Sequence, residues 1–248
     1  MTTVLVTRPA GQERELVELL ASHGIGTVAV PTVEIQPAGD GDLERSLATL
    51  GDRSWLVVTS VNGAHAVAGA AAGRSLPPGT RVAAVGPATA AALAAGGLRV
   101  DAMPERYLTS EIAGALGEVD GHRVVLARAD LATPELREAL VARGALVTDI
   151  VAYRTLVGPP ASRDAMRSAI ARGIDGVLFT SGSTVRGAIA LLPPQLRQRL
   201  TATPALCIGP VTAEVARRAG FKVARVAREH TAAGLAAITS RHFARENA

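Results

Sequence analysis

The chain has 248 residues, 48% of them hydrophobic, and 26 Lys and Arg against 22 Asp and Glu give a formal charge of +4. That apolar content fills a core and excludes a disordered chain, while no apolar run approaches the roughly 20 residues that span a bilayer. Cys207 is the only cysteine and the five histidines are scattered without i, i+4 pairs, which excludes an internal disulfide or thiolate cluster and leaves no metal-ligand pattern.

Residues 1–9 lack the charged n-region and cleavage site of a secretory signal, so a soluble cytoplasmic protein is expected, with no membrane association. Nearly all the positive charge is arginine, Lys222 being the only lysine. Arginine suits two-pronged contact with carboxylate or phosphate. With 2% aromatics there is little to stack on bases, so an acidic small molecule is the expected partner rather than nucleic acid.

In chain order, short β-branched runs at residues 3–7, 27–30, 55–59, 81–85, 98–102, 123–127, 146–150, 176–180, 205–208 and 222–226 predict strands. Alanine- and leucine-rich helical stretches separate them. The alternation predicts an α/β fold in which parallel strands are covered by helices, and ten strands make two sheets of five. Cys207 falls on one of these strands as a buried packing residue.

The chain repeats itself. Arg8, Glu15, Leu16, Glu18, Leu20 and Gly24 recur 120 positions later as Arg128, Glu135, Leu136, Glu138, Leu140 and Gly144. Thr59-Ser60 recurs as Thr180-Ser181, and Gly86, Pro87, Thr89, Ala90 and Gly97 recur as Gly209, Pro210, Thr212, Ala213 and Gly220. Loop-like stretches at 37–42 and 158–163 each follow a short extended segment, at 32–36 and 151–156. The chain then crosses twice between domains: residues 1–36 with 160–240 form one, 37–159 form an insert, and 241–248 remain as a polar tail. Two sequential domains split near residue 120, at Val119-Asp120-Gly121-His122, are the alternative reading.

In open parallel sheets, ligands bind beyond the carboxyl ends of strands, where helix N-termini present free N–H groups. That rule selects the turns after Thr7, Thr59, Val85, Ala127, Thr180 and Ile208. Glycine at 86 and 209 lets a ligand approach the backbone, and the proline that follows suits the first helical position. Plain helix capping by Ser60, Ser181 and the threonines reads the same residues without a ligand. There is no GxGxxG after the first strand, no GxxxxGK[ST] and no GxSxG, and neither Thr-Ser serine has a motif-placed histidine and acid. Tyr153 lies in the second crossing segment. Its phenol stays protonated at neutral pH and can donate to a poor leaving group, or it is a packed strand residue.

Taken together, VLVTRP, VVTSVNGA, VAAVGPATAAALAAGG, VVLARADLATPELREALVARGALV, VAYRT, VLFTSGSTV, CIGPVTAEVARRAGFKV and HTAAGL, in this order, resemble the uroporphyrinogen-III synthase family over nearly the whole chain. The resemblance implies two similar five-stranded, flavodoxin-like parallel-sheet domains, the first split by the second, joined by a two-stranded connector and closing on the substrate in a cleft. It implies hydroxymethylbilane, a linear tetrapyrrole with eight carboxylates, as the substrate, with no metal or organic cofactor; a monomer is expected because no apolar stripe is left over once the cores are filled.

The implied reaction loses the terminal hydroxyl as water, leaving an azafulvene that the substituted carbon of the last ring attacks. The spiro intermediate fragments and re-closes with that ring inverted. Closure without inversion occurs readily in water, so positioning outweighs proton transfer. By the same resemblance Tyr153 and Thr212 are the catalytic candidates, and Ser60, Thr89 and Ser181 fall on ligand-facing turns. Arg8, Arg128 and Arg154 are added as carboxylate contacts from charge and position alone. The competing reading is a non-catalytic relative that binds a small ligand or regulates.

Overall fold

The computed structural model describes residues 2–246. Its strands are β1 (Thr3–Val6), β2 (Gly26–Ala29), β3 (Val33–Pro37), β4 (Ser54–Val58), β5 (Thr80–Ala84), β6 (Arg123–Ala129), β7 (Leu146–Val157), β8 (Gly176–Phe179), β9 (Ala205–Cys207) and β10 (Val223–Val226). The helices are α1 (Arg14–Ser22), α2 (Asp42–Ala48), α3 (Val61–Ala71), α4 (Pro87–Ala95), α5 (Ile112–Ala115), α6 (Glu135–Val141), α7 (Arg163–Arg172), α8 (Gly182–Ala190), α9 (Pro194–Ala202), α10 (Pro210–Arg218) and α11 (Ala232–Glu246).

Two compact units result. One joins the residues up to Glu34 to those from Leu156 onward, and the other runs from Ile35 to Thr155. The divisions therefore fall inside β3 and β7 rather than in the loops beyond them. Val119 to His122 lies within the second unit.

The first unit's sheet has the order β2-β1-β8-β9-β10, which in that unit's own chain order is 2-1-3-4-5, the flavodoxin-like arrangement. Its helices cover both faces. Along β1, Leu5 belongs to one apolar layer with Phe179 and Cys207, while Val4 and Val6 belong to the opposite layer with Leu16 and Leu20 of α1. Alternation along a strand buried on both sides produces this division.

The second unit's sheet has the order β3-β7-β6-β4-β5. All five residues of β4, Ser54 to Val58, are buried. Leu56 and Val58 face one layer, Trp55 and Val57 the other. The strand expected at 98–102 is not formed, and only Ala102 makes a bridge, to Ala83. The carboxylate of Asp101 accepts the Val82 N–H at 2.9 Å, taking a donor that a backbone carbonyl of a strand would use, so the ladder stops. Five strands are reached because β3 lies beside β7, and the extended segment expected at 151–156 is the continuation of β7.

The expected polar tail is also different. Residues 241–246 complete α11, and Phe243 is buried against Val4, Val6 and Leu178. Residues 247 and 248 lie outside the described residues. Cys207 is wholly buried in β9, and burial pushes its thiol up to about 11. Among the described residues no helix is long and apolar enough to cross a membrane.

Candidate functional site

In the second unit β4 ends at Val58 and the chain enters α3 through Ser60, whose extended backbone (φ −160°, ψ 158°) turns its side chain back on the helix. Ser60 Oγ accepts the Gly63 N–H at 3.0 Å, the usual N-cap arrangement. Gly63 permits this close seating, because a Cβ there would stand 3.2 Å from the carbonyl oxygen of Ala127 on β6. The serine has a second partner. Tyr153 Oη on β7 lies 3.0 Å from Ser60 Oγ, although 93 residues separate the two in the chain.

Tyr153 is 8% exposed, so its hydroxyl is held within the fold rather than in bulk water. Burial raises the phenol's pKa above its ordinary 10; the hydrogen bonds from Ser60 and from the Asn62 side chain pull it down, and the carboxylate of Asp130 raises it. The net result keeps the phenol protonated at neutral pH. Ser60 has one proton and already uses a lone pair on Gly63, so it can donate to Tyr153 Oη and leave the tyrosine's own proton available to a third group. Such an array donates a proton to a departing hydroxyl without creating a buried charge beforehand.

The equivalent turn of the first unit holds Ser181. Its Oγ accepts the Thr184 N–H at 3.2 Å, and its own N–H donates to Thr184 Oγ1 at 3.3 Å, closing a capping box at the start of α8. The remaining contact of Ser181 Oγ is Ser183 Oγ at 2.8 Å. The two Gly-Pro junctions also match: Gly86 and Gly209 precede α4 and α10, each with extended backbone and with proline in the first turn. Thr89 is 3% exposed and Thr212 6%, and neither hydroxyl makes a hydrogen bond among the described residues.

The arginines separate. Arg128, expected as a carboxylate contact, is 4% exposed and spent within the protein. Its Nε donates to Asp149 Oδ1 at 3.0 Å, its Nη2 pairs with Asp149 Oδ2, and its Nη1 donates to the carbonyl of Thr133 at 2.7 Å. It ties β6 to β7 and to the loop before α6. Arg154 is exposed and lies 3.7 Å from Asp40, a surface pair of little energetic weight. Arg8, half-buried after β1, makes no ion pair or hydrogen bond among the described residues.

Sequence reasoning named Tyr153 and Ser60 separately and did not pair them, and it missed Asn62 as a partner of the phenol, although Asn62 stands two residues past Ser60 in the TSVNG turn. An amide in the first turn after a capping serine was the available signal. A groove of about 800 Å³ in the first unit, lined by Arg225, Arg228, Glu229 and Arg241 among others, contains none of the expected site residues.

Comparison with known proteins bears on what these turns serve. The sequence model described as HEM4, uroporphyrinogen-III synthase HemD, matches residues 14–237. The chain is 28% identical over 245 residues to a uroporphyrinogen-III synthase of Synechococcus elongatus, covering 94% of this chain and 92% of that one. It is 30% identical over 226 residues to the porphyrin biosynthesis protein HemD of Ruminiclostridium josui, covering 88% of this chain but 44% of that longer protein. A solved structure of a mutant uroporphyrinogen III synthase from Thermus thermophilus superposes with a TM-score of 0.69 at 24% identity, covering 99% of this chain and 100% of that one. At that identity the likeness shows the fold.

Proposed function

We propose a function that starts from kinship: the chain belongs to the uroporphyrinogen-III synthase family, whose model spans residues 14–237. It is a cyclising hydro-lyase of porphyrin biosynthesis that converts hydroxymethylbilane to uroporphyrinogen III. The observation that carries the chemistry is the Tyr153–Ser60 hydroxyl pair, part-buried and hydrogen-bonded, with the phenol held in its protonated form.

Tyr153 donates its proton to the terminal hydroxyl of the substrate, so that the C–O bond breaks and water leaves. Ser60 and Asn62 hold the phenol in line for that transfer. The azafulvenium cation so formed is attacked by the substituted carbon of the last ring, the spiro intermediate fragments and re-closes with the ring inverted, and the proton shed as that ring regains aromaticity returns to the Tyr153 phenolate. Proton donation alone gives no inversion, so the remaining junctions must fix the substrate's fold. Thr212 and Thr89 offer free hydroxyls at helix N-termini, where backbone N–H groups favour carboxylates. Ser181 serves as the cap that shapes its turn, and Arg8 supplies a guanidinium without a partner among the described residues. Arg154 can leave Asp40 for a stronger carboxylate at small cost. Arg128 is not part of the proposed substrate contacts.

The reading includes a monomeric enzyme of the cytoplasm, where a buried thiol such as Cys207 stays reduced; sedimentation in solution gives the oligomeric state directly. The decisive assay supplies freshly prepared hydroxymethylbilane, oxidises the product and measures the ratio of type III to type I uroporphyrin. An excess of type III is expected. Type I alone, at the spontaneous rate, would overturn the assignment.

A further inference from the structure

In each unit a ring lies on the N-cap glycine of the Gly-Pro helix. A Cβ built on Gly86 would stand 3.2 Å from Tyr107 Cβ and 3.3 Å from its Cγ. One built on Gly209 would stand 3.2 Å from His230 Cδ2 and 3.3 Å from both Cγ and Nε2. With φ at −174° and −169°, both glycines have backbone that any residue adopts, so the missing side chain serves space rather than conformation.

The placement repeats with the junctions. His230 follows Tyr107 by 123 positions, the same offset that separates Gly209 from Gly86. Further along, Leu235 and Ala236 follow Ile112 and Ala113 by 123, and all four are buried, so equivalent core anchors set each ring-bearing loop. The rings are not core themselves. Tyr107 is 57% exposed and His230 is exposed as well. The first turn of each glycine-capped helix carries a threonine more than nine-tenths buried, Thr89 or Thr212, whose hydroxyl has no partner among the described residues.

Each junction thus combines free helix N–H groups, an unpartnered hydroxyl and one exposed planar ring. The first two suit a carboxylate. Tyrosine and histidine at equivalent positions share neither charge nor hydrogen-bonding pattern; they share a flat ring. We infer that Tyr107 and His230 are substrate-contacting residues that stack on pyrrole rings whose carboxylate side chains reach the adjoining Gly-Pro turns. The inference rests on the function proposed above, because a pyrrole bearing carboxylates is what such a junction would recognise.

The repeat supplies its own conservative exchange, tyrosine for histidine. In the full-length enzyme with hydroxymethylbilane as substrate, His230→Ala is expected to raise KM about tenfold with kcat within about twofold of wild type, the scale of one lost aromatic contact. His230→Tyr should hold KM within about threefold of wild type, since the plane is retained. Gly209→Ala pushes the ring away and should raise KM similarly, and the double variant Gly209→Ala with His230→Ala should be no worse than His230→Ala alone. Circular dichroism melting checks that each variant is folded. If His230→Ala leaves KM unchanged while wild type forms type III product, the ring contact is wrong and the function stands. Equal losses in His230→Ala and His230→Tyr overturn stacking in favour of an imidazole-specific contact, and wild type that forms only type I overturns both readings.

Discussion

The junctions after β1 and β6 descend from the same repeat yet treat their arginines in opposite ways. Arg128 is buried and bound to Asp149, whereas Arg8 is half-buried and without an ion pair among the described residues. The strand registers are equivalent: Leu126 pairs with Asp149 as Val6 pairs with Ala29, and each position differs from its counterpart by 120. Unit two therefore carries the carboxylate that unit one lacks. Arg128 is a strut between strands while Arg8 makes no ion pair among the described residues, so a repeated motif does not carry a repeated role.

The largest effect expected is on stability. Arg128→Ala leaves the Asp149 carboxylate and the Thr133 carbonyl without their donor, and should lower unfolding free energy by about 2–4 kcal/mol, given that Asp149 is partly solvated. Denaturant titration measures this; a stable variant with raised KM would return Arg128 to the substrate. Arg8→Ala should show the reverse, with KM raised about tenfold and the melting temperature nearly unchanged. Ala29→Asp would sharpen the contrast, since it installs the missing carboxylate: KM should rise severalfold as Arg8 is neutralised.

A smaller contrast separates the two capping serines. Ser60→Ala and Ser181→Ala should each cost about 1 kcal/mol of stability through the lost cap. Only Ser60→Ala should also lower kcat, because of the two serines only Ser60 is hydrogen-bonded to Tyr153. Equal kcat values for the two variants would break that distinction.

The smallest effect is a pH dependence. The folded state holds the Tyr153 proton more tightly than the unfolded chain, so this linkage stabilises the fold fully below pH 10 and is lost as pH rises through the raised pKa. The kcat profile should show no loss attributable to Tyr153 up to pH 10. An alkaline fall near neutrality that disappears in Tyr153→Phe would contradict the raised pKa.

Much of this was legible in sequence because central parallel strands are apolar throughout, as Trp55 to Val58 are, and because turns built on Ser60, Gly86 and their repeats advertise backbone geometry. The segment at 98–102 misled because Leu98, Val100 and Ala102 alternate like a strand, while one carboxylate, Asp101, ends the ladder. Arg128 misled for a different reason. Its partner lies 21 residues away on the neighbouring strand, and only the register reveals it. The residues at 241–246 looked like a tail since polar residues dominate them, yet one aromatic, Phe243, suffices to seat the helix end.

The sharpest test of the mechanism is the rate of type III formation by Tyr153→Phe, measured beside wild type at saturating hydroxymethylbilane with the melting temperature as control. Loss of the phenolic proton should slow turnover by about tenfold or more while the fold persists. A Tyr153→Phe enzyme that forms type III product at the wild-type rate would contradict it, leaving Tyr153 as a packing residue of β7.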